Sequence, residues 1–448
     1  MTLFNSIVPF IAIIIVLVLV HELGHFITAK LSGVKVLEFG IGYPPRLWAL
    51  QRGETEYSLN ALPLGGFVRL LGEEDPTDAR SLAAKPRAIR LVVLSAGSLM
   101  NLLLPIALFT ASFMIPREVS VGHAVIAEVV PGGPAAEAGL QPGDVIYKIN
   151  NREVDNVQEV GYNIRLNLGE TLDMTVKREN EFKTFPVKAR WAPPDIVHTV
   201  QPGEDVGAVA ERVGFSAETV RQAADIDTAL EADRELAIID GAETIFYVPQ
   251  ERDNVISTAR LLGVSAEAVA RAAGLPDPNK LEAGQELHFP QGPTGIIIGS
   301  QYAFTAMQSY APPTALRLGV RSTLDSLTLA RNEVISWFKG GARPEVSGPV
   351  GIAQATGEIV ELAGWRSLLE FTALLSINLA VINILPLPML DGGRVVFVLL
   401  EIVRGGRRIA PQKEAIVHLI GLVAILGLVV ALSYFDVVRL IQGESFFR

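Results

Sequence analysis

The chain has 448 residues, a formal net charge of −10, 49% hydrophobic residues and no cysteine. This length exceeds one ordinary domain, and the acidic balance argues against nucleic acid as a partner. Without thiols there are no disulfides, and any zinc site must use histidine and carboxylate.

Long apolar runs mark a membrane protein carrying soluble parts. The first run, Ile7 to Val20, has no basic residue before it and ends in His-Glu, not at a small-residue cleavage site. It therefore reads as a span and not as a signal peptide. At its end stands His21-Glu22-Leu23-Gly24-His25. Positions i and i+4 share a helix face, so His21 and His25 can present two imidazoles to one metal ion, while Glu22 is left to activate water. The alternative is a pair of histidines capping an interfacial helix end. Ionisable groups are costly in an apolar segment, which favours a functional role.

Four segments are expected to span the bilayer: Ile7 to Ala29, Ala88 to Ile115, Leu368 to about Val403 with prolines inside it, and Ala415 to Tyr434. The loop between the first two carries nine basic residues from Lys30 to Arg90, and that between the last two carries Arg404, Arg407, Arg408 and Lys413. By the positive-inside rule both loops face the cytoplasm, Arg117 to Trp365 lies outside it, and the histidines face the cytoplasmic leaflet. Within the first loop, Glu56 to Leu62 alternates between Gly/Pro-rich flanks at Phe39–Pro45 and Pro63–Leu70, the pattern of a membrane-associated β-hairpin. Such a hairpin either offers an edge to an unwound substrate or covers the helix ends.

The outer segment divides into parts. From Val119 to Trp191 short strands alternate with turns. Pro134-Ala135-Ala136-Glu137-Ala138-Gly139-Leu140 followed by Gly143-Asp144-Val145-Ile146-Tyr147-Lys148-Ile149-Asn150 closely resembles a PDZ domain. An internal repeat follows: Val206, Ala210, Gly214, Ser216 and Glu218 recur as Val255, Ala259, Gly263, Ser265 and Glu267. Each copy reads strand, helix, helix, strand and resembles a LysM module, a family that binds N-acetylglucosamine polymers such as peptidoglycan. The second copy opens at Val248 to Asp253 without the family's glycine, so a spacer that binds no sugar is the alternative. Pro/Gly-rich flanks, Ala192 to Asp195 and Gln291 to Gly299, suggest that the repeats are an insertion. An amphipathic helix is expected from Pro313 to Phe338. His123, His198 and His288 fall in these modules as surface residues, and His418 is expected to face the membrane interface.

Two histidines need a third ligand. The third span supplies Asn383-Ile384-Leu385-Pro386-Leu387-Pro388-Met389-Leu390-Asp391-Gly392-Gly393, in which prolines and glycines open the helix in front of a carboxylate. Asp391 as a simple helix cap is the alternative, but both spans run inward and bring it to the depth of His25. With these motifs in hand, the chain resembles the site-2 proteases of the RseP type, intramembrane zinc metalloproteases of peptidase family M50. The resemblance also covers Pro63 to Gly66 and Gly348 to Ile352, with Gly97-Ser98-Leu99-Met100-Asn101 departing from the family's Gly-Pro-x-x-Asn.

The expected architecture is a polytopic α-helical membrane protein with extracytoplasmic β-rich PDZ and α+β LysM-like parts. The expected regions are an N-terminal membrane core (1–117), the PDZ domain (118–195), the repeats (196–242 and 243–291), a return segment with its helix (292–366) and a C-terminal membrane core (367–448). His21, His25 and Asp391 are expected to bind Zn2+, with Glu22 as the base. The resemblance implies that Asn383, Asn378 and the Gly65-Gly66 strand hold unwound substrate. It further implies a single-span membrane-protein substrate, such as an anti-sigma factor or signal-peptide remnant, in the cytoplasmic membrane. The other classes considered are a non-proteolytic scaffold gripping cell-wall glycan and an intramembrane metal transporter.

Overall fold

The computed structural model describes residues 3–73, 75–224, 229–241, 243–250, 253–341, 346–443 and 445–446. Glu251 and Arg252, in the opening of the second repeat, lie outside them. The chain forms two compact units, Met1–Glu118 with Met307–Arg331 and Pro344–Arg448, and Val119–Ala306 with Asn332–Arg343.

In chain order the first elements are α1 (Leu3–Leu31), β1 (Val36–Arg52), β2 (Thr55–Leu70) and α2 (Arg87–Met114). Next come β3 (Arg117–Val129), α3 (Pro134–Ala138), β4 (Val145–Ile149), β5 (Arg152–Glu153), α4 (Val157–Leu166), β6 (Thr171–Arg178) and β7 (Glu181–Lys188). The repeats contain β8 (Asp195–Thr199), α5 (Val206–Val213), α6 (Ala217–Ala223), β9 (Leu236–Asp240), β10 (Glu243–Tyr247), α7 (Val255–Leu262), α8 (Ala266–Ala273) and β11 (Glu286–Pro290). The chain closes with β12 (Ile296–Gln308), α9 (Pro312–Lys339), α10 (Pro349–Ala363), α11 (Ser367–Ile384), α12 (Asp391–Val403) and α13 (Pro411–Ile441).

In the first unit, four helices are long and apolar enough to cross a membrane: Ser6–Leu31, α2, α11 and α13. The third span is shorter than expected. Pro386 and Pro388 lack the N–H a helix needs, and each disfavours helical backbone in the residue before it. The helix accordingly stops at Ile384, and α12 begins afresh at Asp391. α10 was not anticipated; Pro349 at its first turn and Gly364 at its end bound it.

The hairpin is folded over on itself. Residues Glu38 to Ile41 pair with Gly66 to Arg69 on one side and with Glu56 to Leu59 on the other, and Thr55 to Asn60 pairs in turn with Arg46 to Arg52. Four short segments thus lie side by side, and Gly42, at φ +78, takes the bend within β1. Glu38, only 4% exposed, accepts from Ser58 at 2.8 Å and pairs with Arg46 at 2.8 Å and Arg69 at 3.1 Å. One buried carboxylate thereby ties all four segments together.

The second unit is built on a sheet of order β12-β3-β4-β6-β7, with β5 on β4. Its core includes Ile126, Ile146, Ile149, Leu172, Met174 and Val187, all at most 1% exposed. β12 comes from the stretch read as a return segment, so the sheet is assembled from two parts of the chain, and everything from β8 to β11 is inserted between its strands.

The repeats do not close on themselves. β8 pairs with β11 and β9 with β10. β9 and β10 pair in register from Asp240 and Glu243, so a two-residue connection starting at Gly241 (φ +63) turns them into a hairpin. The closing strand of the first copy is captured by the second, which leaves β8 to β11. Two cores follow. In one, Val206, Val209 and Val220 of the first copy pack with Leu287 and Phe289 of the second. In the other, Leu236 and Ile238 of the first pack with Val255, Ala259 and Val269 of the second.

Candidate metal centre

The centre is built where α1 and α2 cross. Gly24 lets them approach, since a Cβ there would collide with the Ala96 carbonyl. Below it, Gly97 faces both imidazoles: a Cβ at Gly97 would clash with Nε2 of His21 and of His25. The start of α12 brings Asp391 to the same point. His21 Nε2 lies 3.1 Å from Asp391 Oδ2, His25 Nε2 3.2 Å from it, and the two nitrogens are 3.3 Å apart.

This triangle has the size of one face of a zinc tetrahedron, because metal–ligand distances of about 2.05 Å set ligand–ligand edges of about 3.3 Å. Protonation agrees with that reading. His25 Nδ1 donates to the Val93 carbonyl at 2.8 Å, so in the neutral ring its Nε2 carries a lone pair. That lone pair faces a carboxylate oxygen, and two acceptors hold this distance when a cation lies between them. The donor set of two imidazoles and one carboxylate suits zinc and leaves a position open. Among the described residues, His21, His25 and Asp391 are the group of His, Cys, Asp or Glu side chains that could hold a metal ion.

Glu22 lies beside this group, and the Val68 backbone hydrogen-bonds its carboxylate. Gly66 passes close by, a Cβ there falling 3.6 Å from Glu22 Cγ and 3.0 Å from the Gly40 carbonyl. The edge segment of the folded hairpin therefore borders the centre. Gly65 sits against the Tyr43 ring. The two asparagines are not drawn into the cluster. Asn383 is half-buried, Asn378 is exposed, and neither side chain forms a hydrogen bond with the described residues.

Two more residues adjoin the centre, Asn101 of the second-span motif and His418, and the sequence showed the contacts of neither. Asn101 is fully buried, its amide 3.3 Å from His21 Nδ1, and its carbonyl accepts from Ser376 Oγ of α11 at 2.7 Å. A ligand on His21 Nε2 leaves Nδ1 protonated, so the amide must turn its oxygen toward the ring. A buried amide within an apolar helix was the available signal. His418 does not simply face the interface: its Nδ1 accepts from the Met389 backbone N–H at 2.8 Å. His123, His198 and His288 belong to the second unit, where His198 pairs with Glu204 at 2.9 Å.

Comparison with known proteins agrees with the motifs. The profile of peptidase family M50 matches residues 9–428. A Neisseria meningitidis protein named as a zinc metalloprotease is 30% identical, the match covering 98% of this chain and all of the relative. A Clostridium perfringens protein of similar name is 29% identical, over 94% of this chain and 95% of its own length. Zinc metalloprotease RasP of Oceanobacillus iheyensis is 26% identical, over 97% of this chain and 99% of its own. The chain belongs to peptidase family M50, the site-2 protease family of zinc metalloproteases.

Proposed function

We propose that this protease hydrolyses peptide bonds within membrane-spanning segments of single-span proteins, with His21, His25 and Asp391 holding the zinc ion and Glu22 as general base. The observation that carries the reading is the triangle of ligand atoms with edges of 3.1 to 3.3 Å, next to a carboxylate that is not part of it. Zinc, when bound, supplies Lewis acidity toward water and the scissile carbonyl. Glu22 takes the proton of the attacking water on its carboxylate and returns it to the leaving amine nitrogen. His25, fixed by Val93, and His21, fixed by Asn101, keep their Nε2 lone pairs aimed at the ion.

A helical substrate hides its carbonyls in hydrogen bonds and must unwind before cleavage. The segment Gly66 to Leu70 supports a role in holding the unwound strand, because it is an edge of the folded hairpin and passes Glu22. Asn383, beside the break before Asp391, is the better placed of the two asparagines for that role. The basic loops support a centre facing the cytoplasm across the cell membrane and a PDZ-like sheet on the other side, where that sheet would select substrates already trimmed. The scaffold reading predicts a disrupted Glu22 or Asp391, and both are present.

The test compares wild type with Glu22→Gln, purified in detergent with zinc counted, on a single-span reporter. Both should carry about one zinc, and the variant should lose about 100-fold or more of the cleavage rate, as expected for removal of a general base. No zinc in either protein would sink the reading.

A further inference from the structure

The break between α11 and α12 sets where Asp391 points, and its own backbone needs support. Pro386 and Pro388 have no N–H. Leu385, Leu387 and Leu390 donate locally, to Ile382, Leu385 and Leu387. Met389 is different: it sits at φ +78, a region that costs a side-chain-bearing residue energy, and its N–H donates to His418 Nδ1 on α13 at 2.8 Å. His418 lies seven residues into α13, about 10 Å from its start. One turn on, Gly421 seats Pro388, and a Cβ at that position would collide with the proline.

We propose that His418 is a positioning residue for the metal centre. By accepting from Met389 it holds the strained break in the one conformation that turns Asp391 toward His21 and His25. The bond needs an acceptor at Nδ1, because an amide N–H can only donate, and so places the ring proton on Nε2. That nitrogen lies 3.8 Å from the Glu414 carboxylate on the same helix and beside the Phe397 ring of α12. The fourth span thus acts on the centre without touching the ion.

The proposal rests on Asp391 being a zinc ligand. Its test is the rate at which excess chelator strips zinc from the full-length protein, read alongside kcat and KM on the reporter. Asparagine places an amide oxygen where Nδ1 stands, whereas glutamine reaches the Nε2 position. His418→Asn should keep zinc release and kcat within about threefold of wild type. His418→Gln and His418→Ala should release zinc roughly 10- to 100-fold faster and lose kcat with little change in KM, the range seen when a residue supporting a ligand is removed. Gly421→Ala should behave as the glutamine variant does, by pushing on Pro388. Equal zinc release from the asparagine, glutamine and wild-type proteins, all with wild-type melting temperatures, would overturn the proposal. Wild type without zinc would instead overturn the ligand assignment beneath it.

Discussion

Gly97 is the residue at which the centre is most easily closed. It stands on α2 against both imidazoles, where a methyl group would occupy the space between the Nε2 atoms. Gly97→Ala should therefore fold, since alanine is the better helix former, yet purify with far less than one zinc per chain and with reporter cleavage down about 100-fold or more. Elemental analysis alongside a melting curve checks this; full zinc in the variant would mean that the ion sits elsewhere. The histidines were legible in the sequence because helical spacing alone fixes their face. Asp391 was legible because a carboxylate behind two prolines in an apolar segment needs a partner. Gly97 and Asn101 stand out there only as members of one second-span motif, and His418 only as an interface residue, with no sign of what each touches. Each matters through a contact with a residue dozens of positions away or more, and no local pattern reports which helix a side chain will meet.

At the level of elements, the strand pairing of the repeats is what the sequence leaves most open. Two copies with the same motif specify the same strand in each, so the repeat cannot say which copy's strand a given edge accepts. The short connection after Asp240 favours the β9–β10 pair, because closing it costs less chain entropy than bringing β8 across the two helices that separate it from β9. The absence of native cysteine allows a direct check. Val197 and His288 are register partners on the exposed face of the β8–β11 pair. Val197→Cys with His288→Cys should form a disulfide on mild oxidation, since directly opposed strand residues have the required separation. Val197→Cys with Ala237→Cys, the pair expected if the first copy closed on itself, because Ala237 holds in β9 the place of His288 in β11, should not. The opposite result would restore two self-contained repeats. The third span shows the same limit of local reading: its apolar run continues to Val403, and only the two prolines mark where the helix actually ends.

At the level of the whole chain, the nesting has a consequence for what can be removed. β8 and β11 begin and end the insertion, and Asp195 and Pro290 are opposed in one register. Paired strand residues lie about 5 Å apart, so Pro194 and Gln291 can be joined through two glycines without moving the sheet strands on either side. Several ties are cut by this excision, among them the contacts of Pro131 with Gly214 and of Ile297 with the module core. Glu128 loses Thr219 and Ser216, and returns to water at little cost. Val130, fully buried against the module core, becomes exposed and costs the sheet about 1–2 kcal/mol. None of His21, Glu22, His25 or Asp391 belongs to the unit that is shortened. The excised chain should therefore bind zinc with wild-type stoichiometry and resist chelator equally well, while the melting of its sheet falls by roughly 10 °C. Zinc lost together with the insertion would mean that the modules support the membrane unit, not only the sheet into which they are threaded. Zinc retained with altered reporter cleavage would assign them to the choice of substrate.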